Sequence, residues 1–94
     1  MKYLPLENGR RLAYREAGKG PPLVVLHGWS MSSAVFCEVL EALSDRFRVL
    51  APDLRGHGAS DPGDGYGFGD FAADLARWFE ALGLAGATVA GWSL

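Results

Sequence analysis

The chain has 94 residues, of which 49% are hydrophobic, 12% aromatic and 21% charged. This length allows at most one small domain, and the composition is that of a folded protein and argues against disorder. The formal net charge is −2 and the Lys and Arg residues are scattered, so we expect neither nucleic acid nor a membrane surface as a partner. The first residues contain no apolar run of signal-peptide length and no stretch approaches a membrane span, which makes a cytoplasmic protein the default expectation.

The first predicted element is a β-hairpin. Residues 2–6 and 10–16 are short, partly alternating segments, and Glu7-Asn8-Gly9 separates them. Asn-Gly between two strand-like runs is the strongest short-range hairpin signal. We therefore predict an antiparallel pair of strands at the start of the chain.

A buried strand and a helix follow the hairpin. Residues 23–26 are continuously apolar, as a parallel strand covered on both faces must be, and this strand ends at His27-Gly28-Trp29. Between Ser33 and Leu43, apolar side chains recur at helical spacing, at Val35, Phe36, Val39, Leu40 and Leu43. The spacing predicts a helix with one buried face.

The second half of the chain repeats this alternation. Residues 47–50 predict a strand that ends at Pro52-Asp53, and a turn-rich segment covers 54–62. A second helix is predicted to start near Phe68 or Asp70 and to stop at Gly83, before a last strand at 87–90. Its apolar stripe is Phe71, Leu75, Trp78, Phe79 and Leu82. Its charged residues are interpreted as a solvated face, namely Asp70, Asp74, Arg77 and Glu80.

Alternating strands and helices predict an α/β fold with a mostly parallel sheet and helices on both faces. If the chain leaves the strand at 23–26 in one direction and returns on its other side with the strand at 87–90, a topological switch point lies between these two strands. Ligands bind at such points, outside the carboxyl ends of the strands. The loop from His27 to Trp29 is therefore expected beside Ser93.

The last four residues, Gly91-Trp92-Ser93-Leu94, follow an apolar strand and match the beginning of a nucleophile elbow. In this motif a sharp strand-to-helix turn lifts the serine hydroxyl clear of the sheet. Ser93 is therefore the candidate catalytic nucleophile. The backbone N–H of Leu94 is one expected oxyanion donor, and the second is expected from the loop at Trp29, where Gly28 lets the backbone turn toward the substrate.

The chain has two histidines, His27 and His57, and each lies in a glycine-flanked loop at a strand end. In a fold with this elbow, the acid and the histidine of the triad follow the nucleophile in the sequence, so we expect both beyond Leu94. We interpret His27 as an orienter of the oxyanion loop through its own hydrogen bonds, and His57 as a structural turn residue. In the competing interpretation, one of these two histidines is the general base.

Three further polar or reactive residues are assigned structural roles. Asp53 precedes a glycine-rich turn, where Asp commonly bonds neighbouring backbone N–H groups, and this is preferred to a catalytic carboxylate. Arg55 is expected to pair with a nearby acid such as Asp53 or Asp61, although a substrate carboxylate is the alternative. Cys37 has no second cysteine or metal-ligand neighbour, so it is expected to be a buried small hydrophobe, and no metal site is predicted.

Three segments, His27-Gly28-Trp29, residues 53–60 and Gly91-Trp92-Ser93-Leu94, together resemble the amino-terminal part of an α/β-hydrolase-fold protein. The resemblance implies a Ser-Asp-His triad, no cofactor, and a helical lid inserted after the strand that follows the elbow. It also implies that residues 1–94 are the amino-terminal part of a single domain that is truncated here at the elbow, with the lid, the acid and the histidine outside this chain. We therefore expect the chain to belong to a longer polypeptide and expect the isolated 94-residue chain to be inactive.

Within that family, the pairing of His-Gly-Trp with Gly-Trp-Ser-Leu is similar to the pimeloyl-acyl-carrier-protein methyl ester esterases of biotin synthesis, in which Trp29 and Leu94 would match oxyanion and substrate-contact positions. The Arg-Gly-His-Gly run at 55–58 is the common form in general esterases, perhydrolases and C–C bond hydrolases, so these activities stay open. A non-catalytic ligand-binding protein is a further alternative. The expected partner is a small-molecule or carrier-linked ester, and neither its chain length nor the oligomeric state follows from the sequence.

Overall fold

The computed structural model describes residues 1–91, and five strands in this range form one sheet. The strands are β1 (Lys2–Pro5), β2 (Arg11–Ala17), β3 (Pro22–Leu26), β4 (Arg48–Pro52) and β5 (Thr88–Gly91). The α-helices are α1 (Cys37–Leu43) and α2 (Phe68–Leu82), and short 3-10 turns cover Glu7–Gly9 and Ser33–Phe36. The predicted succession of hairpin, strand, helix, strand, helix and strand is confirmed.

The strand order in the sheet is β1-β2-β4-β3-β5. β3 is parallel to both of its neighbours, β4 and β5, as its continuous apolar sequence predicted. β2 pairs antiparallel with β1 and with β4, and places Tyr14 opposite Pro52. The described part of the sheet is therefore mixed and not mostly parallel, because the hairpin extends the sheet along β4 by antiparallel pairing.

The hairpin turns at Asn8 and Gly9. These residues have φ angles of 57° and 74°, in the left-handed region that Asn and Gly tolerate better than other residues. The Leu6 N–H donates to Arg10 O at 2.7 Å and closes the turn. The Asn-Gly signal in the sequence thus predicted the correct turn.

Helices α1 and α2 pack on opposite faces of the sheet. On one face, Val24 and Leu50 cluster with Trp78 of α2, and all three are fully buried. On the other face, Val25 clusters with Leu40 of α1. Because successive residues of a strand point to opposite faces, β3 contributes to both layers, and the prediction of helices on both faces is confirmed.

The segment predicted as one helix from Ser33 to Leu43 begins with a 3-10 turn and becomes α-helical only at Cys37. The 3-10 turn has about three residues per turn, so its side chains do not continue the face of the α-helix. As a result Val35 is 52% exposed, although its spacing predicted burial. The prediction that Cys37 is buried is also wrong, since its side chain is exposed.

Helix α2 has a defined start and end. At its start, Asp70 Oδ2 accepts a hydrogen bond from the Gly67 N–H at 3.1 Å. At its end, Gly83 adopts φ 65°, the left-handed conformation that commonly terminates helices, as the sequence predicted. Neither α1 nor α2, the α-helices described in residues 1–91, has the length and hydropathy that crossing a membrane requires.

Candidate active site

The strand order brings three loops to one edge of the sheet. β4, β3 and β5 are adjacent and parallel, so their carboxyl ends lie side by side. Leu26, the last residue of β3, lies opposite Gly91, the last residue of β5. The chain therefore has a switch point at β3, as predicted, because β4 lies on one side of this strand and β5 on the other. Ser93 and Leu94 lie outside the described residues.

His27 follows β3 and is fully buried, with both ring nitrogens engaged. Its Nδ1 donates to Gly28 O at 2.8 Å, and its Nε2 accepts a hydrogen bond from the Leu54 N–H at 2.9 Å. An imidazole that accepts at Nε2 is neutral and carries its proton on Nδ1. Burial, the largest influence, lowers the pKa of His27 against the opposing hydrogen bond to Gly28 O. This side chain therefore ties the loop after β3 to the loop after β4.

His57 lies in the loop after β4 and reaches back to the loop after β3. Its Nε2 accepts a hydrogen bond from the Ser30 N–H at 3.2 Å, and its Nδ1 donates to Arg55 O at 2.9 Å. The sequence interpretation gave His57 a role within its own turn, whereas the structure also connects it to the candidate oxyanion loop. No local sequence signal reports this contact, because Ser30 is 27 positions away.

The loop after β3 contains a tight turn from Gly28 to Met31. The Met31 N–H donates to Gly28 O at 3.1 Å, and Ser30 has a φ of 67°. A positive φ at the third residue alone is the mark of a type II turn, a position that glycine usually occupies. Among residues 1–91, the Trp29 N–H has no hydrogen-bond acceptor, unlike the N–H groups of the two residues that follow it. The expectation that Trp29 supplies an oxyanion donor stays a prediction.

Asp53 is buried at the end of β4, with 1% of its surface exposed. One carboxylate oxygen accepts from the Ser33 N–H at 2.6 Å and the other from the Ala59 N–H at 3.0 Å. The backbone of Gly58 passes so close to this carboxylate that a Cβ there would collide with it. The structural interpretation of Asp53 is confirmed, since both oxygens hold backbone of the surrounding loops.

Arg55 pairs with an acid, as predicted, but this acid is Asp74 of α2 and neither Asp53 nor Asp61. Arg55 Nε and Nη2 each donate to one oxygen of Asp74, both at 2.9 Å, in a bidentate pair. Asp74 is only 4% exposed, so it does not belong to a solvated helix face. Arg10 Nη2 donates to the same carboxylate at 2.8 Å. Burial opposes ionisation of Asp74, but the hydrogen bonds from these two arginines outweigh it and lower the pKa.

Arg55 also holds the segment that precedes α2. Arg55 Nη1 donates to Gly65 O at 2.9 Å. The next residue, Tyr66, lies against Gly56, where an added Cβ would be 2.7 Å from the Tyr66 hydroxyl. Arg55 therefore links helix α2, the loop after β4 and the segment that carries Tyr66.

An open cleft of about 580 Å³ lies between this segment, α2 and the end of β3. Its lining is apolar and consists of Leu26, Trp29, Leu54, Tyr66, Gly67, Phe68, Phe71, Ala72 and Leu75. The lining residues described in 1–91 include no charged side chain. Within the same part of the chain, no group of His, Cys, Asp and Glu side chains is arranged to hold a metal ion.

Comparisons with known proteins point to one family. A sequence profile described as the alpha/beta hydrolase fold matches residues 21–94. The chain is 44% identical over 84 residues to a 2-(acetamidomethylene)succinate hydrolase of Mesorhizobium japonicum, covering 88% of this chain and 30% of that protein. It is 46% identical over 80 residues to a pimeloyl-[acyl-carrier protein] methyl ester esterase of a Shewanella species, covering 82% of this chain and 27% of that protein. A soluble epoxide hydrolase of a Corynebacterium species is 44% identical over 77 residues, covering 81% of this chain and 27% of that protein.

Solved structures agree with these sequences. The enol-lactonase from Burkholderia xenovorans superimposes with a TM-score of 0.87 at 31% identity, over 98% of this chain and 37% of that one. A loop variant of a haloalkane dehalogenase from Bradyrhizobium elkanii gives a TM-score of 0.90 at 30% identity, over 98% of this chain and 31% of that one. The chain thus spans about a third or less of the length of the curated relatives it matches.

Proposed function

The chain belongs to the α/β-hydrolase fold family, and from this premise we propose that the protein is a serine hydrolase that cleaves carboxylic esters through an acyl-enzyme on Ser93. The observation that carries the proposal is the parallel pairing of β3 with β5, in which Leu26 lies opposite Gly91. Ser93 follows Gly91 by two positions, and Trp29 follows Leu26 by three. The proposed nucleophile and the proposed oxyanion loop therefore start from adjacent strand ends.

The proposed chemistry uses the serine hydroxyl and two backbone donors. Ser93 Oγ attacks the ester carbonyl, and the N–H groups of Leu94 and Trp29 stabilise the oxyanion that develops on the carbonyl oxygen. Loss of the alcohol leaves an acyl-enzyme, which water hydrolyses to the acid and the free serine. No cofactor or metal is needed for these steps. The base is proposed to come from a histidine after Leu94 in the sequence, because His27 and His57 use both ring nitrogens in other hydrogen bonds.

The nucleophile type favours esters over the substrates of some relatives. A serine that opened an epoxide or displaced a halide would be left as an alkyl ether, which water does not cleave under physiological conditions. A serine that attacks an ester forms a new ester, which water does cleave. With Ser93 as the nucleophile, turnover is therefore consistent with acyl transfer and not with the epoxide or haloalkane chemistry in the names of two similar proteins.

As the specific substrate we propose a methyl ester of a pimeloyl chain carried on an acyl carrier protein, which would place the protein in biotin synthesis. The 46% identical esterase from Shewanella supports this choice. The apolar cleft also suits a chain of methylene groups.

The second candidate is hydrolysis of an anionic substrate, as in the 44% identical succinate-derivative hydrolase. Two carboxylates would need cationic partners. Arg10 and Arg55 are both paired with Asp74, and the described cleft lining carries no charge. These contacts favour an uncharged acyl group.

The proposal is tested with the protein expressed from its complete coding sequence. Intact mass is measured before and after exposure to a fluorophosphonate, which labels activated serines, and the adduct is mapped by peptide sequencing. We expect one adduct, on Ser93, and none in the Ser93→Ala variant. Ser44→Ala is the matched control, since Ser44 is only half-buried and its hydroxyl donates to Glu41 O at 3.2 Å, and this variant should be labelled like the unmodified protein.

Protein that has not been exposed to the fluorophosphonate is then assayed for methanol release from methyl esters of increasing chain length. If Ser93 is labelled but no methyl ester releases methanol, the protein is a serine acyl-transfer enzyme and the proposed ester substrate is wrong. Absence of labelling would contradict the proposal and favour a ligand-binding protein.

A further inference from the structure

We propose that His57 is a positioning residue for the oxyanion loop: by accepting the Ser30 N–H, it holds the turn in which Trp29 presents its own N–H to the reacting carbonyl. The inference rests on the proposed function, because it assigns a role to a group that serves the same reaction. His57 itself touches no substrate in this proposal. Its effect passes through the backbone of Ser30.

The imidazole bridges two loops with a fixed tautomer. Nδ1 donates to Arg55 O at 2.9 Å, within the loop after β4, so the ring proton is on Nδ1. Nε2 is thereby left as an acceptor, and it receives the Ser30 N–H at 3.2 Å. Aromatic rings fix the plane of the imidazole from several sides, with ring centroids 5.2 Å away at His27 and at Trp29 and 6.4 Å away at Phe71.

The turn needs this support because of its backbone conformation. Ser30 has φ 67°, which an L-residue other than Gly, Asn or Asp adopts rarely. With Ser30 at a negative φ the turn would become type I, and the peptide plane between Trp29 and Ser30 would turn over. The Ser30 N–H would then point away from His57. The flip itself turns over the Trp29 C=O and the Ser30 N–H, whereas the Trp29 N–H belongs to the preceding Gly28–Trp29 peptide. The hydrogen bond to Nε2 therefore acts on the Trp29 N–H by fixing the conformation and the position of the turn that carries it.

Three substitutions at His57 separate the contacts of its two nitrogens. In His57→Gln, the amide oxygen reaches the place of Nε2 and can still accept the Ser30 N–H. In His57→Asn, the shorter amide reaches only the place of Nδ1 and keeps the contact with Arg55 O. His57→Ala loses both. We expect the rate of fluorophosphonate labelling of Ser93, and kcat for p-nitrophenyl butyrate, to fall about 10- to 100-fold in the Asn and Ala variants, less than for complete loss of an oxyanion donor.

The Gln variant is expected to stay within a few-fold of the unmodified protein, and KM is expected to change little in all three. Amide hydrogen exchange at Ser30 gives a readout that needs no activity, and it should be fast in the Asn and Ala variants and slow in the Gln variant.

A double variant tests the mechanism through the turn itself. Glycine favours a positive φ, so Ser30→Gly should hold the type II turn without His57. We expect Ser30→Gly to restore labelling to His57→Ala by about 10-fold. If His57 only filled space against the aromatic rings, the glycine would restore nothing.

The failures of the two proposals are distinguishable. If the unmodified protein is not labelled, the proposed function is wrong, and the oxyanion role inferred here is wrong with it. If the unmodified protein is labelled and His57→Ala is labelled at the same rate, only the present inference is wrong. It is also overturned if His57→Gln is as slow as His57→Ala, since the acceptor at Nε2 would then be irrelevant.

Discussion

His27 and His57 each accept a hydrogen bond from the loop that carries the other. His27, after β3, accepts the Leu54 N–H of the loop after β4, and His57, in that second loop, accepts the Ser30 N–H of the first. Their ring centroids are 5.2 Å apart. Both contacts require a neutral imidazole, because a protonated ring has no acceptor. The two loops at the carboxyl edge of the sheet are thus joined by a pair of contacts that protonation would remove.

We predict that the free energy of unfolding falls when the pH is lowered below about 6.5. Burial lowers the pKa of His27, so between that lowered pKa and about 6.5 the unfolded chain binds a proton that the folded chain does not. The contribution of neutral His27 is complete above this window and is lost progressively as the pH falls through it. The limiting slope is about 1.4 kcal/mol per pH unit for one group. Urea unfolding between about pH 5 and 8 measures this slope.

The control for this prediction is His27→Gln. Its amide oxygen can accept the Leu54 N–H in place of Nε2, and it does not titrate. The charged or titratable groups that act on His27 are Asp53 and His57, and both remain in the variant. The variant should show a flatter dependence on pH. An unchanged slope would assign the acid sensitivity to other groups.

Replacing Asp74 by Asn is predicted to lower the free energy of unfolding by about 3 to 5 kcal/mol. Asp74 is buried, and it accepts hydrogen bonds from both Arg55 and Arg10. Asparagine would remove the charge that both largely buried guanidinium groups share, and would leave Arg10 with Glu7 at 2.6 Å and Arg55 with Asp70 at 3.8 Å. The midpoint of urea unfolding measures the loss. Glu80→Gln on the exposed face of the same helix is the control and should change stability by less than about 0.5 kcal/mol.

Two glycines make a matched pair of alanine substitutions. Gly58 has φ 52°, and a Cβ there would collide with the carboxylate of Asp53, so Gly58→Ala should be clearly destabilising, by about 2 kcal/mol or more. Gly69 lies in α2 with open space around the Cβ position, so Gly69→Ala should stabilise by about 0.5 kcal/mol through helix propensity. Thermal unfolding of both variants gives the comparison. Equal effects would show that the Asp53 carboxylate moves aside without cost.

The parts of the fold that the sequence predicted correctly depend on local signals. The Asn8-Gly9 turn, the apolar run of β3 and the stop at Gly83 each follow from a few neighbouring residues. The switch point at β3 was predicted on the condition that the chain returns on the other side of this strand, and the observed strand order meets that condition. Ser93 and Leu94 stay predictions, because they lie outside the described residues.

The errors arose where a contact joins residues that are distant in sequence. Asp74 lies on a helix face that periodicity marks as solvated, yet its partners, Arg55 and Arg10, are 19 and 64 positions away. The contact of His57 with Ser30 is of the same kind. Val35 was placed wrongly for another reason, since a 3-10 turn interrupts the period from which its burial was predicted. The burial of Cys37 was predicted from residue type alone, which does not report where a side chain lies.

Arg55→Lys is predicted to weaken selection of the acyl chain as well as stability. A lysine ammonium is a single point donor, so it cannot bind both oxygens of Asp74 and Gly65 O in the geometry of the guanidinium. Without the contact to Gly65 O, the segment that carries Tyr66 loses its fixed position along the cleft. In assays of the complete protein, we expect the KM of the variant to exceed that of the unmodified protein by a factor that grows with the acyl chain length of the methyl ester. The change in kcat should be much smaller.

The control for this variant is Arg11→Lys. The Arg11 side chain is more than half exposed and pairs with Asp61 through one contact at 3.4 Å, while the shorter contact from the Arg11 backbone N–H at 2.8 Å is unaffected by the substitution. Lysine can therefore replace Arg11 with little loss. The discriminating quantity is the dependence of KM on chain length, because a stabilising role alone would lower the amount of folded enzyme and reduce the apparent kcat equally for every ester. If Arg55→Lys is less stable but keeps the unmodified dependence on chain length, the bidentate pair with Asp74 serves folding alone. A steeper rise of KM for the longer esters would connect this ion pair, through Gly65 and Tyr66, to the shape of the cleft.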